Sequence, residues 1–227
     1  DARNKILDIA ERLFGERGWS ATSLRDIAAE AEVNPAMITY YFGTKKNLLE
    51  VVFKRRGTEI AENWVKRINA RPGPGPTVYE LLHAYLSVGF HTKKEGPSGA
   101  AFVKLQARVH NETDEFFFRL RREVYDAATQ RYIAALERVL PEVDPADINW
   151  RMIFVIGSYL YMLAGVDRLN DLSGGRFTAI DIDEATDRAT KFMVGGMCTA
   201  STYDDSSGRG AKKKQKPRAR AAAKKSS

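Results

Sequence analysis

Apolar residues recur along this chain at helical spacing, and no stretch alternates in the manner of a half-buried strand. Ile6, Ala10, Leu13 and Phe14 fall at i, i+4, i+7 and i+8, which predicts an amphipathic helix over 2–17 closed by Gly18. Thr22 or Ser23 supplies the N-cap of a second helix reaching about residue 31, and Asp26, three residues beyond Ser23, completes the pattern of a capping box. Asn34 and Pro35 suit the cap and first turn of a short third helix. Gly43 closes that helix, and Thr44 caps a long fourth one over 45–70. After the break Arg71-Pro-Gly-Pro-Gly-Pro76, further helices are predicted over 78–94, 100–111, 114–140, 146–172 and 181–198. The pattern is all-α, about nine helices, with a small N-terminal three-helix unit followed by a larger helical one.

Composition supports a real core, with 44% hydrophobic and 10% aromatic residues in 227. Charge changes the picture more. The formal charge is +7, yet residues 199–227 hold nine Lys/Arg against Asp204 and Asp205, so that segment accounts for all of it and the body is balanced. The segment has no apolar face and reads as a disordered basic tail, either solubilising or adding non-specific affinity for nucleic acid. A single cysteine, Cys198, excludes an internal disulfide framework and fits a reducing compartment. The longest apolar run, 152–166, is interrupted by Gly157, Ser158 and Gly165 and falls short of the roughly 20 residues that span a bilayer. No basic-then-apolar leader opens the chain, so a soluble, cytoplasmic protein without membrane attachment is expected.

Residues 24–42 carry the sharpest chemical signal. Ile27, Val33 and Ile38 supply a miniature core, Ala28 is small where two helices must cross, and Phe42 extends the buried face of the second helix. A helix-turn-helix needs this arrangement, because its second helix must stand rigidly proud to enter a major groove. With Ile38 and Phe42 inward, 100° per residue puts Ala36 and Tyr40 outward, flanked by Pro35 and Thr39. Pro35 and Ala36 offer apolar contact to a thymine methyl, and Thr39 and Tyr40 offer hydroxyls. No Arg, Lys, Asn or Gln occupies the helix interior, so phosphate positioning and DNA shape are expected to carry much of the selectivity. Lys45 and Lys46 at the start of the fourth helix, with Arg25 and the hydroxyls of Thr22 and Ser23 at the second, are the expected phosphate clamps. The plainer alternative is an ordinary helical hairpin with Tyr40-Tyr41-Phe42 as core aromatics.

Ile6-Leu7, Leu13-Phe14, Gly18, Thr22-Ser23-Leu24-Arg25-Asp26-Ile27-Ala28, Val33 and Tyr40-Tyr41-Phe42-Gly43-Thr44-Lys45 resemble the N-terminal domain of the TetR family of repressors over about residues 3–53. The resemblance implies a DNA-binding domain over 1–47, a ligand-binding and dimerisation domain over 48–198 with 45–70 as connector, and a two-fold dimer. It also implies that Thr22, Pro35, Ala36, Thr39, Tyr40, Tyr41 and Lys45 lie where family members touch DNA. One position departs from the family: Glu32 stands where the turn usually has glycine. A left-handed conformation there costs about 1 kcal/mol, and the carboxylate weakens the local field for phosphate.

The second half is less explicit. The stretch Trp150 to Val166 resembles the penultimate helix of regulators that sense fatty acyl or aromatic compounds. Gly157, Ala164 and Gly165 permit close helix approach, so the helices near 146–172 and 181–198 are expected to form a dimeric four-helix bundle, with an intrachain core helix as the alternative. Phe90, Phe102, Leu105, Phe117, Leu120, Tyr125, Tyr159 and Leu163 are the candidate apolar lining of an effector cavity, with Arg108, His110 and Arg121 as polar anchors. His83, His91 and His110 lack metal-ligand spacing, there is no phosphate loop, and Ser98 and Ser158 lack a triad context, so neither cofactor nor catalysis is expected. The expected function is a homodimeric repressor released from a palindromic double-stranded operator by a small apolar effector. The competing reading is a ligand carrier or enzyme that retains a vestigial helix-turn-helix.

Overall fold

A computed structural model describes residues 1–69, 75–164, 168–177 and 181–201. In chain order the helices are α1 (Ala2–Arg17), α2 (Leu24–Ala31), α3 (Pro35–Phe42), α4 (Lys45–Asn69), α5 (Val78–Lys94), α6 (Pro97–Asn111), α7 (Glu115–Arg121), a π-helical turn (Arg122–Asp126), α8 (Ala127–Val139), α9 (Pro145–Leu163), α10 (Arg168–Leu172) and α11 (Ile182–Met197). The described residues are helices and their connections, as the hydrophobic pattern predicts. Most of the expected break at 71–76, the residues Gly165 and Val166, and nearly all of the basic tail lie outside the described residues.

Three boundaries differ from the pattern. Helix α6 starts at Pro97 rather than residue 100, because Gly96 turns the chain at φ 89° and proline occupies the first helical position. The helix expected over 114–140 is one run whose middle turn is π rather than α, with Arg122 and Ala127 both in helical conformation. The helix expected over 146–172 ends at Leu163, and α10, which buries nothing, follows separately.

The N-terminal unit is built as its sequence dictates. Ser23 caps α2, accepting from Asp26 N while the Asp26 carboxylate accepts from Ser23 N and Oγ. These bonds, with Arg17 and Lys45 behind them, hold the Asp26 carboxyl below its ordinary range. Ile27, Ala28, Ile38 and Phe42 are buried between α2, α3 and α1. At the turn, Glu32 is left-handed at φ 54°, and Val33 N donates to Ala28 O at 3.0 Å. The Glu32 carboxylate is engaged by Lys5 Nζ at 3.0 Å. Replacing Glu32 by glycine relieves the backbone strain and gives up one exposed ion pair. Urea unfolding is therefore expected to show a higher midpoint, the backbone relief outweighing the exposed pair.

This unit is welded to the rest along α1. Gly15 sits on the backbone of Ala101 in α6 so closely that a Cβ there would overlap the Ala101 carbonyl. Arg108 of α6 donates to Gly15 O at 3.1 Å and Glu16 O at 3.2 Å, satisfying carbonyls at the end of α1. Glu11 is fully buried but not alone: Ser98 Oγ donates to it at 2.6 Å, and Arg55 and Arg56 approach at 3.3 and 3.5 Å. A buried carboxylate survives only with such partners. At the far end, α11 is fastened to α5 by Lys94–Asp183 at 3.0 Å and by Tyr79 Oη donating to Asp187 at 2.6 Å.

Candidate functional site

Helix α3 presents one face to solvent. Pro35, Ala36, Thr39 and Tyr40 are exposed, Tyr40 at 84%, while Ile38 and Phe42 are buried behind them. Asn34 caps the helix through Ala36 N at 2.9 Å, so its first turn is fixed. Tyr41 is exposed beside Tyr40, their rings edge to face with centroids 5.4 Å apart. The alternative in which Tyr40 and Tyr41 are core aromatics fails: only Phe42 of the three is buried.

The flanking candidates separate on inspection. Thr22 is buried, and its hydroxyl donates to Gly18 O at 2.9 Å, so the expectation of a surface hydroxyl there is corrected: it locks the α1–α2 turn. Ser23 is exposed but its hydroxyl is committed to the Asp26 cap. Arg25 is exposed. Lys45 stands at the start of α4 with its ammonium over the Trp19 ring at 4.3 Å, where burial lowers its pKa against the pull of Asp26. Lys46 diverges from it, leaning over Phe116 at 5.2 Å and toward Asp114 at 3.9 Å. Two adjacent lysines thus serve opposite sides of the α4 start. Trp19 and Thr44, which no local pattern marks as clamp residues, support this corner: Trp19 carries Lys45 and also meets Phe117 edge-on at 6.1 Å, and Thr44 Oγ1 accepts from Asn47 N.

A cavity of about 170 Å³ lies between α4, α5, α6, the π turn, α8 and α9. His110, Arg121, Tyr125 and Tyr159 line it, together with Trp64, Tyr85, Gln106, Asp126, Thr129, Ile156 and Leu160. Phe90, Phe102, Leu105, Phe117, Leu120 and Leu163 do not line it; they are buried in the core beside it. Arg108 is spent on the end of α1, so its assignment as an anchor is corrected as well. Apolar periodicity finds inward faces but cannot distinguish a packed from a hollow stretch. One signal was available: Gln106 interrupts the apolar face made by Phe102, Val103 and Val109.

Burial governs the chemistry of the chamber. It pushes His110 down to about 4, helped by the neighbouring Arg121, and leaves the ring neutral. It pushes the Tyr125 and Tyr159 hydroxyls up, out of any physiological titration. Trp64 and Tyr85 stack at 4.3 Å, and Trp64 Nε1 donates to Tyr85 O at 2.9 Å. Gln106 Oε1 and the hydroxyls of Tyr125 and Tyr159 are buried without hydrogen-bond partners. Gly57 on α4 makes room for Val124 and Tyr125 of the π turn, since a Cβ would stand 2.8 Å from Val124 Cγ1 and 3.0 Å from the Tyr125 hydroxyl.

A third surface is apolar and open. Trp150, Ile153, Phe154 and Tyr161 on α9 and Phe192 on α11 are exposed, Phe192 at 79%. Tyr161 and Phe192 line a groove of about 600 Å³ along the α9–α11 seam, and Phe154 and Phe192 line another of about 290 Å³. Among the described residues there is no group of three or more His, Cys, Asp or Glu placed to hold a metal ion, and no helix long and apolar enough to cross a membrane.

A capped, rigid helix standing proud of a three-helix unit, continued through one long helix into a larger helical bundle, defines a helix-turn-helix transcriptional regulator. The chain belongs to the tetR family. The family model "Bacterial regulatory proteins, tetR family" matches residues 6–52, and "Tetracyclin repressor-like, C-terminal domain" matches residues 83–196. A helix-turn-helix transcriptional repressor of Mycobacterium tuberculosis is 47% identical over 55 residues, 24% of this chain and only 29% of that relative's length. The BetI regulator of Brucella anthropi is 28% identical over 137 residues, 60% of this chain and 68% of its own. Among solved structures, the ketosteroid transcriptional regulator KstR2 of Mycobacterium tuberculosis aligns with a TM-score of 0.62 at 14% identity, covering 86% of this chain and 94% of the other. FadR of Bacillus subtilis, solved with stearoyl-CoA, aligns at 0.59 and 18% identity, covering 86% and 98%. These structural likenesses concern the fold.

Proposed function

We propose that this regulator is a homodimeric repressor that grips a palindromic operator through α3 and releases it when a small, largely apolar effector enters the α4–α9 chamber. The observation that carries the reading is the outward face of α3, where Pro35, Ala36, Thr39 and Tyr40 are presented by a helix capped at its start and buried along its back. On this reading residues 1–47 bind DNA, residues 48–198 bind effector and partner with α4 as connector, and Arg25, Tyr41, Lys45, Lys46 and the α2 start at Ser23 hold phosphates. Dimerisation through the exposed aromatics of α9 and α11 sets the two α3 helices about one helical turn of DNA apart, roughly 34–36 Å.

The coupling has a physical route. His110 and Arg121 of the chamber meet at the α6–α7 corner, where Arg121 Nη1 donates to Val109 O and to Glu112 O. The same corner carries Asp114, Phe116 and Phe117, which touch Lys46 and Trp19 at the base of the DNA-binding unit. An effector that favours one arrangement of this corner shifts the spacing of the two reading helices.

Gel retardation on palindromes upstream of the protein's own and neighbouring genes tests the reading; indifference to all of them overturns it. Tyr40→Ala is expected to weaken operator binding about 10- to 100-fold, roughly 1–3 kcal/mol, with an unchanged salt slope. Lys45→Ala is expected to weaken all DNA alike and to reduce the slope of log K against log salt by about 1.

A further inference from the structure

We infer that the chamber selects an uncharged, single-ring effector bearing a hydrogen-bond donor such as a phenolic hydroxyl, and that Gln106 accepts that donor. This rests on the reading of the chamber as the effector site.

Size argues first. A void of roughly 150 Å³ takes up benzene, so a chamber of about 170 Å³ holds one substituted ring and not a long acyl chain. Its walls are flat and apolar where Trp64 and Tyr85 stack and where Ile156 and Leu160 face them.

Charge argues second. Arg121 is the one cation in the lining, and Asp126, the one carboxylate there, acts on it through space. Its Nη1 is already shared between Val109 O and Glu112 O. His110 contributes no charge. An anionic group would therefore meet a lining with no net positive charge, the Asp126 carboxylate standing beside the one guanidinium.

The orphan group argues third. Gln106 is 1% exposed on the otherwise apolar face of α6, and its Oε1 has no partner. A leucine or methionine would fill the same space without leaving a buried acceptor unpaired, so the amide costs the empty protein stability. An amide oxygen is completed by a donor, and the unpartnered hydroxyls of Tyr125 and Tyr159 in the same lining can donate in turn to the oxygen of that ligand.

The test uses the full chain without DNA, titrated with p-cresol, toluene, sodium benzoate and palmitoyl-CoA, read by calorimetry and by thermal melting. Wild type is expected to bind p-cresol at least 10-fold more tightly than toluene or benzoate and not to bind palmitoyl-CoA. Gln106→Leu is expected to melt above wild type when empty and to lose the preference for p-cresol over toluene. Tighter binding of benzoate or palmitoyl-CoA, no binding of p-cresol, or a retained preference in Gln106→Leu overturns the inference; the first two need no variant. Operator retardation separates the two levels. Release by palmitoyl-CoA keeps the effector chamber and removes the single-ring assignment. Binding of p-cresol without operator release keeps the chemistry and removes the effector role.

Discussion

Phe192→Asp is expected to convert the protein to a monomer at micromolar concentration and to lower operator affinity at least 100-fold. Phe192 is 79% exposed in the isolated chain, so the substitution costs the protomer's own core almost nothing. In a dimer packed through α9 and α11 the same position is central, beside Phe154 and the glycine-bearing stretch at Gly195 and Gly196. A carboxylate pressed into that seam without a partner is too costly to bury, and the interface opens. Losing the partner turns one two-site event into two weak ones, and linked sites gain roughly 10²–10⁴ in avidity. Sedimentation equilibrium and gel retardation read the two effects separately. A variant that stays dimeric with normal operator affinity removes α11 from the interface.

Gly15→Val carries the second large effect, an expected loss of about 3 kcal/mol in stability together with weakened response to effector. The group that a side chain at position 15 meets is the main chain of Ala101, which cannot rotate aside as a side chain does. Relief therefore requires α1 to lift from α6. That motion also stretches the two bonds from Arg108 and loosens the cage around Glu11. Urea denaturation measures the stability change, and effector titration of the operator complex measures the coupling. An unchanged denaturation midpoint shows that the α1–α6 seam is more compliant than the contact implies.

The N-terminal unit was legible because every local rule agreed there. The cap at Ser23, the proline after Asn34, the glycine after Phe42 and the spacing of Ile38 and Phe42 each named the same helices, and the observed bounds follow them. Thr22 was misjudged for a reason of reach: sequence places a hydroxyl next to a cap, but only the packed turn shows it pointing inward at Gly18 O. The chamber was legible in part. His110, Arg121, Tyr125 and Tyr159 announced themselves as polar or amphipathic groups within apolar faces, while Trp64 and Gln106 had to be found by packing helices that are distant in sequence. The apolar residues missed in the other direction, such as Phe102 and Leu120, fill space beside the hollow and obey the same periodicity as those that border it.

The π turn at Arg122–Asp126 has a consequence for how such a chamber changes over generations. A π turn closes its hydrogen bonds over one residue more than an α turn. Deleting a single residue there returns the run to ordinary α closure with the flanking turns nearly in register, so the change is confined to the wall that the turn itself presents. The packing of Val124 and Tyr125 into the place that Gly57 keeps open would be reset, while the caps, the α1–α6 seam and the outward face of α3 would keep their residues. One codon lost at this turn is thus enough to alter the wall of the pocket and leave the outward face of α3 as it was.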